Sequence, residues 1–143
     1  MEGELTLIQR EGAISKKLFE RLPARSGQIG YTQPAKEWIR GKSPIPHGTW
    51  LLWLNSKDPG KFEKKGIGEF FPISSTVNNP RLISQAEKQR WDIGLHPENI
   101  FRGSAGCVVL VWDTPARHQK VKELFNFLRS LVKTTPYLKI TVL

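Results

Sequence analysis

The sequence predicts a mainly β chain of the α+β class, a single domain over residues 1–143 with one long helix near its C-terminus and a strand after it. Three observations carry this. Short segments alternate apolar and polar residues, turn-forming Gly and Pro residues separate them, and a single long segment has the three-and-four spacing of an amphipathic helix.

In chain order, "ELTLIQREG" alternates Leu5, Leu7 and Ile8 with polar residues and reads as a first strand. "AISKKLFERLP" fits a second strand or one helical turn: Leu18 and Leu22 suit a helix, which Pro23 would end. Residues 23–44 are rich in turn formers and read as a long irregular connection. "IPHGTWLLWLN" is a clear strand, followed by a basic turn-rich loop, "SKDPGKFEKKGIG". "EFFPISS" is a short strand in which Pro72 suggests an edge or a bulge. "NNPRLISQAEKQRW" reads as a polar connector with room for one short helix.

"GCVVLVW" has the run of apolar residues expected of a buried strand. The helix is "DTPARHQKVKELFNFLRSLVKTTP". Asp113 or Thr114 can cap it, and Pro115 falls near its first turn, where a missing N–H costs nothing. Val121, Leu124, Phe125, Leu128, Leu131 and Val132 form its apolar face, and Pro136 closes it before the final strand "YLKITVL".

Lys and Arg number 22 against 13 Asp and Glu, a formal net charge of +9, which favours anionic partners. The basic residues are dispersed, and Trp50, Trp53 and Trp112 lie within apolar strands. A nucleic-acid face built on exposed aromatics is therefore the weaker expectation. No apolar run approaches the roughly 20 residues of a membrane helix, so no membrane span is expected. "MEGELTLIQREG" has neither the charged start nor the apolar segment of a signal peptide, so the chain is expected to be made in the cytoplasm. One cysteine excludes an internal disulfide.

The stretch "IGLHPENIFRGSAGCVVLV" holds the chemistry. A cysteine attacks carbonyls as its thiolate and needs a neighbouring base or cation. If the segments around His96 and Cys107 are adjacent strands, the connection between them brings imidazole beside thiol. Gly106 permits the backbone angles that aim N–H groups at one point, as an oxyanion hole requires. Arg102 is available to a substrate carboxylate, and His47 in "IPHGTW" could line the same cleft. The plain alternative is that Cys107 is a small core residue beside valines. His47, His96 and Cys107 lack the spacing of a zinc motif, so no metal or other cofactor is expected.

"HPENIFRGSAGCVVL" resembles the signature of the L,D-transpeptidase (YkuD-like) superfamily, in which a histidine precedes a Ser/Thr-x-Gly-Cys turn. "SPIPHGTWLLW" resembles a strand of its small phage and effector relatives, and the two matches span roughly residues 43 to 112. The resemblance implies a β-sandwich-like domain acting on peptidoglycan stem peptides through a cysteine thioester. Cys107 matches its nucleophile, His96 its base, and Ser104 and Gly106 the oxyanion turn. Ala105 and Val109 depart from the pattern, which has a histidine at the first position and an arginine or asparagine at the second.

Two functions follow from this likeness. One is a cysteine-dependent L,D-transpeptidase, carboxypeptidase or exchange enzyme with the stem peptide as its partner. Phage or secretion-machine proteins would then deliver it to the periplasm or cell wall. The alternative is an inactive phage structural or wall-binding module with the same fold.

Overall fold

The computed structural model describes residues 2–27, 43–54, 70–98 and 106–142. Nine strands and one helix lie among them: β1 (Glu2–Glu11), β2 (Ile14–Arg25), β3 (Gly48–Trp53), β4 (Phe71–Ser74), β5 (Leu82–Gln85), β6 (Lys88–Trp91), β7 (Gly94–Pro97), β8 (Val108–Leu110), α1 (Pro115–Leu131) and β9 (Tyr137–Val142). Among the described residues the protein is mainly β with one helix, in keeping with the patterning.

Seven strands form one sheet in the order β1-β2-β8-β7-β4-β3-β9, and β5 and β6 form a separate hairpin. Within the sheet every pairing is antiparallel except β7 with β8, which is parallel. The sheet is therefore mixed, with one parallel pairing among antiparallel ones. In a flat sheet β1 and β9 would stand about 29 Å apart, six spacings of 4.8 Å. Yet residues of both, together with Leu124 and Leu128 of α1, line one cavity of about 330 Å³. The sheet is curled, in keeping with the twist of its strands.

The helix forms where its capping residues and apolar face predict. Thr114 is its N-cap: the side-chain oxygen accepts the Arg117 N–H at 3.2 Å, and Pro115 follows at the start of the first turn. Val121, Leu124, Phe125 and Leu128 are buried, while Leu131 and Val132 pack half-buried at the margin of the core. The Phe125 ring meets Phe71 of β4 edge-on, with centroids 5.4 Å apart. No helix among the described residues is long and apolar enough to cross a membrane.

Residues 14–25 take the strand form of the two the sequence allowed, because β1 offers them a hairpin partner. Two elements differ from expectation. Residues 82–91 form the β5–β6 hairpin rather than a connector with a helix; its turn puts Ala86 at φ 54° without the usual Gly or Asn signal. Pro72 lies in β4, an interior strand. Its missing N–H is tolerated because β4 pairs with β7 at Phe71 and Pro72 and passes to β3 at Ile73 and Ser74. Of the irregular connection expected over residues 23–44, residues 23–25 belong to β2 and 28–42 lie outside the described residues, as does the basic loop expected at "SKDPGKFEKKGIG".

Candidate active site

The parallel pair β7–β8 sets the geometry. Leu95 pairs with Val108, His96 with Val109 and Pro97 with Leu110. Side chains alternate across a strand, and paired residues share a face. Leu95, Val108 and Leu110 accordingly enter the main core under α1. His96 and Val109 point to the opposite face, and so do Gly94 and Cys107, one alternation earlier. The segments that carry His96 and Cys107 are thus neighbours.

His96 is buried, with its ring stacked on Phe70 at a centroid distance of 6.0 Å. Its Nδ1 lies 2.7 Å from the Pro97 carbonyl oxygen. A carbonyl only accepts, so Nδ1 carries the hydrogen and Nε2 the lone pair. Burial holds the imidazole below its usual pKa, partly offset by that hydrogen bond, so the ring is neutral near pH 7.

Cys107 is half-buried as a residue and immediately precedes β8. Its Sγ donates toward the Asp92 carbonyl oxygen at 3.9 Å, the far limit for a sulfur hydrogen bond. Burial pushes the thiol pKa up to about 11; the Gly94 N–H and the Arg90 guanidinium oppose the shift, and the Asp92 carboxylate adds to it. At rest the sulfur is a thiol, not a thiolate.

Gly106, just before it, has φ +116°, a region that L side chains rarely adopt. A Cβ there would overlap Arg90 Nη2 and press on the Ser43 carbonyl. Gly94 is also committed to glycine, since a Cβ on it would overlap the Phe70 ring.

A buried polar network ties this turn to residues 43–46. The Ile45 N–H donates to Ser26 Oγ at 2.8 Å, and that hydroxyl donates to the Gly106 carbonyl at 3.0 Å. Arg90, 1% exposed, donates from Nη1 to the Pro44 carbonyl and from Nη2 to the Ser43 carbonyl, both at 3.0 Å. "SPIPHG" and the Gly106–Cys107 turn, distant in sequence, are therefore joined through Ser26 and Arg90. Asp92, at φ 56°, is held by the bidentate Arg81 pair, at 2.7 and 3.0 Å. Among the described residues no buried side-chain nitrogen or oxygen lacks a partner.

Of the residues picked out by sequence, His96 lies on β7, and Gly106 and Cys107 lie in the turn that leads into its neighbour β8. His47 is half-buried in the turn after residues 43–46. Arg102 and Ser104 lie outside the described residues, as does Ala105. Arg90, Ser26, Phe70 and Gly94 were not singled out. No local signal in the sequence marks Arg90, whose burial appears only in the fold. No group of three or more His, Cys, Asp or Glu side chains converges among the described residues. Comparison with known protein families, with curated protein sequences and with solved structures returns no match.

Proposed function

We propose that the protein is a cysteine-dependent enzyme of the L,D-transpeptidase type, cutting or exchanging peptidoglycan stem peptides at the cell wall. The observation that carries the reading is the shared face of β7–β8. His96, on β7, and Cys107, immediately before β8, lie on the side of that parallel pair turned away from the main core. The Nδ1–H bond to Pro97 leaves Nε2 as the proton acceptor.

In this reading Cys107 Sγ bonds to the carbonyl carbon of the diaminopimelate residue as its proton passes to His96 Nε2. The tetrahedral intermediate collapses, the bond to D-alanine breaks, and His96 returns the proton to the departing amine. Water then hydrolyses the thioester, or an amine converts it to a new amide. The net charge of +9 favours adhesion to anionic wall polymers.

A second reading, an inactive wall-binding or phage structural module, is favoured by the thiol's resting state: burial pushes its pKa up to about 11. One experiment separates the two. Purified muropeptides are incubated with the protein and D-alanine release is followed by mass spectrometry. Release by wild type and none by Cys107→Ala supports the enzyme; equal release by both removes Cys107 as nucleophile, and none by either supports the inactive module.

A further inference from the structure

We propose that Arg90 is a positioning residue for Cys107: anchored on the Ser43 and Pro44 carbonyls, its guanidinium braces the Gly106–Cys107 turn and supplies the positive charge that favours the thiolate. This rests on the reading of Cys107 as a nucleophile.

Three observations converge on it. Arg90 is the one inward residue of β6, with Lys88, Gln89 and Trp91 all exposed, and a buried guanidinium is costly unless well bonded. Its two prongs are spent on carbonyls 46 and 47 residues away, which fixes the head group instead of leaving it to sample rotamers. Finally, Gly106 lacks a side chain where one would overlap Nη2, so the cation reaches the residue adjoining the nucleophile.

Among the described residues, the charged and polar groups around the sulfur are few. From β6 comes Arg90, and from the β6–β7 junction the Asp92 carboxylate, itself neutralised by Arg81. From β7 come the Gly94 N–H and the neutral His96. Beyond β8, Arg25 of β2 is paired to Glu98 at 2.8 Å. Among the described residues Arg90 is thus the cation whose field favours the thiolate, and a thiolate would in turn favour the guanidinium charge that burial opposes. A residue serving only to fill space would leave the titration of Cys107 unchanged.

The test is the pH dependence of iodoacetamide alkylation of the whole protein, in wild type, Arg90→Met and Arg90→Lys, with near-UV circular dichroism to report native packing. Loss of the cation raises the thiol pKa, so folded Arg90→Met should alkylate about tenfold more slowly than wild type at pH 8.5. Arg90→Lys keeps the charge without the two-pronged grip, and should lose about threefold. A wild-type profile in either folded variant overturns the proposal. If Arg90→Met does not fold, the lysine profile decides alone. Alkylation follows the thiol without any substrate, so a failure here is distinct from a failure to release D-alanine.

Discussion

His96 Nδ1 sits 2.7 Å from the carbonyl oxygen of its own neighbour, Pro97, a bond that fixes the tautomer and leaves Nε2 free of its proton. A general base must be neutral to act, and burial keeps this imidazole below its ordinary value of about 6.5. Stem-peptide turnover should therefore rise along an acid limb whose midpoint lies below pH 6.5. His96→Gln should lower the rate by about two to four orders of magnitude and abolish that limb. A midpoint above 6.5 in a kcat/KM profile would contradict the assignment.

The same burial links stability to pH. Because the folded-state pKa of His96 is depressed, the unfolded chain binds the proton more readily. The contribution is fully present above pH 6.5 and is lost as pH falls below it. Thermal unfolding of wild type should show a drop in Tm between pH 7.5 and 5.5, and His96→Gln should show a smaller one. Equal drops would mean that another group dominates.

How much of this was legible depends on how each residue meets its neighbours. α1 could be read because its cap, its first-turn proline and its apolar face are all local features. β3 and β9 alternate clearly and pair along their full length. The β5–β6 hairpin was hidden because the inward position of β6 is an arginine, which inverts the expected polarity of a strand. Pro72 argued for an edge because the handover between β7 and β3 depends on register, which alternation does not encode. At the site, the adjacency of the His96 and Cys107 segments was foreseeable. Arg90 was not, since its partners, Ser43 and Pro44, are brought to it only by the finished fold.

Ser26 bridges two buried backbone groups, accepting from Ile45 N–H and donating to Gly106 C=O. Ser26→Ala leaves both without their partner, at about 1–3 kcal/mol for each group. Urea unfolding should show a loss of about 2 kcal/mol or more, whereas Ser15→Ala, exposed on β2, should stay within about 0.5 kcal/mol of wild type. A Ser26→Ala variant as stable as wild type would show that residues 43–46 are held to the turn by other contacts.

Gly106 is where backbone and site impose the same demand. Its φ of +116° costs an L residue about 1–3 kcal/mol, whatever the space around it. In addition, the new Cβ of Gly106→Ala would overlap Arg90 Nη2 and stand 3.1 Å from the Ser43 carbonyl. The guanidinium must then retreat, weakening two buried hydrogen bonds, so the total loss should reach about 3 kcal/mol or more. Gly3→Ala is the contrasting variant: its Cβ meets nothing within 4 Å, and its effect should be within about 0.5 kcal/mol. Urea midpoints for the two alanine variants measure this directly. If Gly106→Ala folds at all, its Cys107 should also alkylate more slowly than wild type in the native state, because the retreating cation is the one that favours the thiolate. A stable Gly106→Ala with an unchanged thiol would mean that neither the turn nor Arg90 constrains Cys107.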